Sequence, residues 1–152
     1  MTKSPTPPDG VIDGLRHLYA VRVYYEDTDL SGVVYHANYL RWFERARSDL
    51  LRQLGIDQRA AVEKGEGAYA ITELSLQYLR PAKLDDDILI ETRCIGMGVA
   101  SCRMAQRALR GERPLVEAAL RVGFVAPNGR PRRQPAPWRA AFAKFMGETN
   151  TA

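Results

Sequence analysis

Apolar residues repeat with a helical period between residues 37 and 54. Tyr39, Phe43, Ala46, Leu50 and Leu54 form one stripe. The stripe is widened by Leu40, Trp42 and Leu51, so the pattern predicts a helix that is buried on more than one side. Gly55 predicts the end of that helix, and Asp57 predicts the N-cap of a short second helix over residues 57–65.

Elsewhere the apolar period is two, which is typical of strands. It predicts strands over 19–25, 70–79, 88–95, 99–109 and 115–126. The inward faces are predicted to carry the following residues: Leu74, Leu76 and Tyr78; Ile88, Ile90, Thr92 and Cys94; Cys102, Met104 and Ala108; Val116, Ala118, Leu120, Val122 and Phe124. Most turns between them are short, which favours antiparallel pairing. A last amphipathic helix is predicted over 137–146.

A sheet with one apolar face must cover that face, and the helix over 37–54 is the only large apolar element available to do so. The sequence therefore predicts an α+β fold in which an antiparallel sheet wraps around one long helix. We predict a single domain over residues 17–147. It is flanked by a disordered N-terminal tail at 1–16, where proline is frequent, and a C-terminal tail at 148–152.

Composition narrows the class of protein. The chain has 152 residues, a net charge of +4 and two cysteines, Cys94 and Cys102. We expect no transmembrane segment, because no apolar run approaches the roughly 20 residues that one needs. The lack of a secretory signal and the few cysteines favour a cytoplasmic protein. The two histidines and two cysteines are not spaced as metal ligands, and the mild, interleaved positive charge does not indicate nucleic-acid binding.

Candidate chemistry concentrates in residues 22–39, RVYYEDTDLSGVVYHANY. A strand runs into a polar loop with Asp27 and Asp29, and His36 follows at the start of the buried helix. A helix start presents unpaired N–H groups and partial positive charge, which stabilise an oxyanion. A carboxylate, an oxyanion site and a histidine suffice to hydrolyse an activated acyl group.

This segment resembles the hotdog-fold thioesterases of the 4-hydroxybenzoyl-CoA thioesterase type, most of all those encoded with the bacterial Tol-Pal envelope system. Residues 78–86, YLRPAKLDD, are a second match. The resemblance implies that Asp29, rather than Asp27, is the catalytic carboxylate, acting either as general base or as nucleophile. It implies an oxyanion donor near His36, which orients the substrate or water, and substrate contacts from Gly32, Val33, Val34, Tyr35 and Asn38.

The resemblance further implies a homo-oligomer, a dimer or dimer of dimers, with the active site at the subunit interface. The substrate is an acyl-CoA, or an acyl group on an acyl carrier protein, and no cofactor is required. The CoA phosphates are expected on surface arginines or lysines that the sequence does not single out. Two alternatives remain open: another hotdog activity such as enoyl-CoA hydration, and a weakly catalytic or non-catalytic acyl-CoA-binding, envelope-associated module.

Overall fold

The computed structural model describes residues 3–147, which form one six-stranded antiparallel sheet and three helices. The strands are β1 (Val11–Asp13), β2 (Arg16–Arg22), β3 (Ala68–Tyr78), β4 (Asp87–Met97), β5 (Ser101–Arg110) and β6 (Arg113–Val125). The helices are α1 (Asn38–Gln53), α2 (Gln58–Glu63) and α3 (Ala136–Phe145), and a 3-10 turn covers Tyr25–Asp27. The sheet order is β1-β2-β4-β5-β6-β3, so the predicted α+β class is confirmed.

The long helix α1 forms the centre of the core, as its apolar period predicts. Its stripe residues Tyr39, Phe43, Ala46 and Leu50 are all buried. The inward faces predicted for β4, β5 and β6 are also buried, from Ile88 on β4 to Phe124 on β6. Each large apolar side chain removed from water in this way contributes roughly 1.5–3 kcal/mol. Helix and sheet therefore stabilise each other, and the start of α1 is held on a rigid scaffold.

Strand β3 departs from its predicted burial. Its apolar face was expected to point inward, but Leu74 and Tyr78 are 40% and 48% exposed, and only Leu76 packs against the core. The reason is position: β3 is an edge strand that pairs with β6 on one side. In the part of the chain described, no strand pairs with its other side. An apolar edge strand of this kind is a surface that proteins normally cover.

The N-terminal boundary also differs from the prediction, because residues 10–16 are not a tail. Strand β1 pairs with β2, and the Gly10 N–H donates to Asp49 Oδ2 at 3.0 Å. The same oxygen lies 2.6 Å from Nε2 of the buried His17 and accepts from Gln53 Nε2. Periodicity missed this segment since three strand residues are too few to show a period. The tail predicted at 148–152 lies outside the described residues.

The helix ends predicted from Gly55 and Asp57 are confirmed. Asp57 caps α2 by accepting the Ala60 N–H at 2.9 Å. Helix α1 ends at Gln53, and Gly55, which has a φ of 80°, follows its C-cap and lets the Ile56 N–H reach the Leu51 carbonyl at 2.9 Å. Within residues 3–147, no helix has both the length and the apolar character that a membrane span requires.

Candidate active site

The two sequence motifs, at 22–39 and 78–86, lie against each other in the fold. The Val34 N–H donates to the Ala82 carbonyl at 2.8 Å, and the Val23 N–H donates to the Asp86 carbonyl at 2.9 Å. At the helix start, the Tyr78 hydroxyl donates to the His36 carbonyl at 2.7 Å. The second motif therefore holds the loop of the first in place.

Asp27 ties the loop to the start of α1. Its Oδ2 accepts the Tyr24 N–H at 2.8 Å, and its Oδ1 accepts the Asn38 side-chain amide at 2.9 Å. Its carbonyl accepts the Tyr35 N–H at 2.8 Å. Both carboxylate oxygens are thus used in fixing the loop relative to the helix, which is a structural role.

Asp29 lies on a tight turn that brings its carboxylate to the surface. The Asp29 N–H donates to the Val33 carbonyl at 2.9 Å, and the Gly32 N–H donates to the Asp29 carbonyl at 3.0 Å. Gly32 has a φ of 82°, a conformation that glycine adopts without strain. Glycine is therefore favoured at the turn by which the loop folds back toward the helix.

The Asp29 carboxylate is asymmetric in its hydrogen bonding. Its Oδ1 accepts both the hydroxyl and the N–H of Ser31, while Oδ2 has no hydrogen-bond partner within residues 3–147. The hydroxyl, the N–H and the nearby His36 all act to lower the pKa of the Asp29 carboxyl below its ordinary value. The group is therefore ionised at neutral pH, with one oxygen available to water or substrate.

The start of α1 supplies unpaired hydrogen-bond donors. The Asn38 N–H bonds to the Tyr35 carbonyl at 2.8 Å, and the Leu40 N–H bonds to the Ala37 carbonyl at 3.1 Å. The N–H groups of His36 and Ala37 have no acceptor among the described residues. Together with the helix dipole, they form an electropositive point at which a negative oxygen is stabilised.

The His36 side chain is exposed and sits among aromatic rings. Its ring centroid lies 4.5 Å from that of Tyr35 and 6.3 Å from that of Tyr78, which meets it edge-on. Tyr78 also packs edge-on against Tyr39 at 6.0 Å. The side chain of His36 is therefore free to contact a ligand while its backbone is anchored.

The predicted site residues lie between β2 and α1 or at the start of α1, and three of them are not exposed. Asp29, Gly32, Tyr35 and His36 are exposed. The Val34 side chain is buried in the core at 5% exposure, so only its backbone remains near the surface. Asn38 is partly buried, and its side-chain amide is occupied by Asp27. Val33 is partly buried and forms a bridge to the second motif.

Sequence reasoning missed two contributors. Tyr78 was interpreted as one residue of an apolar strand face, and Ser31 as an ordinary loop residue. Tyr78 is the first residue of the second motif, and its position in that motif was the signal that could have identified it. Ser31 carried no such signal, because its bond to Asp29 depends on the geometry of the turn.

The arrangement suits attack on an activated acyl group. An ionised carboxylate with an available oxygen can deprotonate water or attack a carbonyl carbon. The N–H groups at the helix start can then stabilise the oxygen that becomes negative.

Known proteins match the chain over most of its length. A family model described as the thioesterase-like superfamily matches residues 23–146. The chain is 42% identical over 107 residues to the acyl-CoA thioesterase YbgC of Haemophilus influenzae, covering 70% of this chain and 79% of that protein. It is 40% identical over 119 residues to the acyl-CoA thioester hydrolase YbgC of Escherichia coli O6:H1, covering 77% and 88%. A crystal structure of a probable thioesterase from Bartonella henselae superposes with a TM-score of 0.75 at 38% identity, covering 79% and 99%.

Proposed function

Because the chain belongs to the thioesterase-like superfamily, has its hotdog fold and hydrolyses acyl-CoA thioesters, we propose that Asp29 is its catalytic carboxylate. The observation that carries this proposal is the contrast between two acids on one loop. Asp27 uses both carboxylate oxygens to fix the loop, whereas Asp29 Oδ2 has no partner within residues 3–147. A group that must meet water or substrate needs such an available oxygen.

In the proposed reaction, the thioester carbonyl oxygen lies against the N–H groups of His36 and Ala37. Charge that develops on this oxygen is stabilised there, and a donor of this kind is typically worth roughly a hundredfold or more in rate. His36 orients the carbonyl or the attacking water. Gly32, Val33, Tyr35 and the backbone of Val34 line the approach, and Asn38 acts indirectly by holding Asp27.

A thioester suits this small set of groups. The departing thiolate is a good leaving group, because a thiol has a pKa of roughly 8.5. Less acid assistance is needed than for an amide, whose nitrogen must be protonated as it leaves. The products are a carboxylic acid and the free thiol of CoA.

Asp29 acts either as general base on water or as nucleophile. The two routes differ in which carboxylate receives the oxygen atom of the water molecule. After a single turnover in ¹⁸O-labelled water, label in the Asp29 carboxylate identifies the nucleophilic route. A mixed anhydride, formed when Asp29 Oδ2 attacks and opened by water, can leave ¹⁸O in the Asp29 carboxylate. General-base catalysis puts the label only in the released acid. Mass spectrometry of the peptide that contains Asp29 reads the outcome.

The test of the assignment is Asp29→Asn, assayed by the thiol released from an acyl-CoA. We expect a loss of at least roughly a hundredfold in kcat, the usual contribution of a positioned base, with an unchanged circular dichroism spectrum. Asp85→Asn is the matched control. Asp85 is exposed with a φ of 70°, which Asn tolerates well, so this variant removes the same charge nearby. Full activity in Asp29→Asn would contradict the proposal.

We further propose that the enzyme is a homodimer, with dimers associating into tetramers, and that the site is completed at the dimer interface. Support comes from the side of β3 that has no partner strand within residues 3–147. It also comes from exposed apolar residues on β3 and on the segment between β2 and α1, which we call the catalytic loop. Leu74 is 40% exposed and Tyr25 84% exposed in the single chain. Edge-to-edge pairing of two β3 strands would satisfy the unpaired backbone groups of this edge.

A cytoplasmic location and an association with the Tol-Pal envelope system are also proposed. The location is supported by the acyl-CoA substrate and by the small number of cysteines in the chain, since disulfides are rare in the cytosol. The association rests on the resemblance of residues 22–39 to thioesterases encoded with that system. Cell fractionation, followed by affinity purification of the tagged chain from envelope and cytosolic fractions, tests both.

A further inference from the structure

A turn within the second motif, residues 81–86, supports the catalytic loop. The Ala82 carbonyl accepts the Val34 N–H at 2.8 Å, and Val33 forms a β-bridge with the residue that follows Ala82. Both valines directly follow the tight turn that carries Asp29. Ala82 is fully buried, so this support belongs to the packed core. The position of the Asp29 carboxylate therefore depends on the shape of the turn at 81–86.

The same turn contacts the start of α1. Tyr39 is the second residue of that helix and is buried. Burial raises the pKa of the Tyr39 hydroxyl to about 12, and a hydrogen bond from the Ala82 backbone acts in the opposite direction. The turn therefore contacts both parts of the proposed site, the loop with its carboxylate and the helix start with its N–H donors.

Asp86 closes the turn with its side chain. Its Oδ2 accepts the Lys83 N–H at 2.9 Å, and the Asp86 N–H donates to the Lys83 carbonyl at 3.1 Å. The Asp86 carbonyl accepts the N–H of Val23, the residue after β2, at 2.9 Å. The side chain thus sets the shape of the turn while the backbone joins it to the end of β2.

Arg110, the last residue of β5, holds the turn to the sheet. Its Nη1 donates to Asp86 Oδ2 at 3.0 Å and to the Pro81 carbonyl at 3.2 Å, so one nitrogen joins both ends of the turn. The Arg110 and Asp86 side chains are 39% and 27% exposed, so the ion pair is partly shielded from water. Hydrogen bonds between charged groups are stronger than neutral ones. Since β5 lies in the interior of the sheet, this contact ties the turn to a rigid element.

We propose that Arg110 and Asp86 are positioning residues for the hydrolysis, which fix the Asp29 carboxylate relative to the N–H groups at the start of α1. They act through the turn at 81–86 and its hydrogen bond to Val34. The proposal rests on the proposed function, because it needs Asp29 to be the group that is positioned. A displacement of about 1 Å caused by a change far from the chemistry can cost about a hundredfold in rate.

The test is Arg110→Gln, assayed by thiol release from an acyl-CoA. We expect kcat to fall by roughly tenfold while KM changes less than about twofold, because a misplaced carboxylate impairs the chemical step and not substrate binding. Arg110→Lys keeps the cation without the guanidinium geometry, so its loss in kcat should be smaller, about threefold. Because the ion pair is partly exposed, the melting temperature of Arg110→Gln should fall by less than about 4 °C.

Asp86→Asn tests the other member of the pair. Asn keeps a side-chain oxygen for the Lys83 N–H and removes only the charge. If the two residues act as one unit, kcat of the Asp86→Asn, Arg110→Gln double variant falls no further than that of the slower single variant. Asp86→Asn carries the test by itself if Arg110→Gln does not fold, and a wild-type kcat in Asp86→Asn then overturns the proposal.

Arg93→Gln is the matched control. Arg93 lies on the neighbouring strand β4 and is 49% exposed, and its partner Glu91 keeps two other arginines in this variant. An unchanged kcat in Arg110→Gln would overturn the proposal, as would a change confined to KM, an equal loss in Arg93→Gln, or losses that multiply in the double variant. The proposed function fails separately, since Asp29→Asn would then be fully active whatever Arg110→Gln does.

Discussion

Two aspartates on one loop show how neighbouring residues of one type take different roles. Asp27 accepts hydrogen bonds at both carboxylate oxygens and at its carbonyl. Among residues 3–147, the Asp29 carboxylate accepts hydrogen bonds at one oxygen only, from Ser31, and the side chain is exposed. The chemical difference arises from the turn at Gly32, which points one side chain back into the loop and the other away from it.

Tyr78 is a second example at the scale of single residues, because it positions the backbone at His36. Its hydroxyl holds the His36 carbonyl at 2.7 Å, and this carbonyl belongs to the same peptide unit as the Ala37 N–H. Fixing one end of a planar peptide fixes the other. Tyr78 therefore sets the direction in which a proposed oxyanion donor points, without contacting the reacting atoms itself.

We expect Tyr78→Phe to lower kcat by about tenfold while changing KM less than about twofold, because donors aimed away from the oxyanion lose most of their effect. Steady-state kinetics measures this split. Tyr69→Phe is the matched control: it lies on the same strand and loses a hydroxyl bond to Gln134 of 2.6 Å. It should lose about 1 kcal/mol of stability and keep its kcat. Equal kinetics in wild type and Tyr78→Phe would rule out the positioning role.

At the scale of elements, strand β1 and the residues before it are attached to α1 through a polar cluster around the buried His17 and Asp49. Gly10, His17, Asp49 and Gln53 form that cluster. A methyl group on Gly10 would lie 2.5 Å from the Leu18 carbonyl oxygen and 2.7 Å from both Asp49 Oδ2 and His17 Nε2. The close approach of this segment to the helix therefore depends on glycine.

Gly10→Ala should destabilise the protein by about 1–3 kcal/mol, the usual cost of overpacking a tight site. Urea denaturation followed by circular dichroism measures the free energy of unfolding. Gly96→Ala is the control, since its added methyl group would meet only Arg103 at 3.7 Å, an ordinary contact. Its effect should stay within about 0.5 kcal/mol. Indistinguishable stabilities for the two variants would show that residues 10–16 are held loosely.

For the whole molecule, the important surface is the unpaired side of β3. It carries the exposed Leu74, and its last residue, Tyr78, contacts the helix start. If two chains join at this edge, assembly and catalysis are coupled, because the same strand supports both the interface and the site. An isolated chain would then hold the catalytic loop less firmly.

Leu74→Lys should convert the proposed dimer to a monomer and reduce kcat/KM, because a charge at the centre of an apolar interface is costly to bury. Sedimentation velocity gives the oligomeric state, and the thiol-release assay gives the activity. Val11→Lys is the control: Val11 is 58% exposed on β1, which lies at the opposite edge of the sheet from β3. A dimeric, active Leu74→Lys would contradict the proposed interface.

The sequence by itself determined the long helix α1, the strands other than β1, and the segment that carries the candidate chemistry. The apolar periods of α1, β4, β5 and β6 reflect which residues leave water, and burial is the dominant local signal in a sequence. The loop of residues 22–39 was likewise found from its spacing and from its resemblance to a family.

Only the tertiary structure decided which strand lies at an edge, how residues 10–16 are held, and which aspartate keeps an available oxygen. The first two depend on contacts between residues far apart in the chain, such as Gly10 with Asp49. The available oxygen of Asp29 depends on the geometry of its turn, in which Ser31 occupies the other oxygen. A periodic pattern shows that a face is apolar but not what covers it. The folded chain places β3 at the margin of the sheet, which is why its apolar face is exposed.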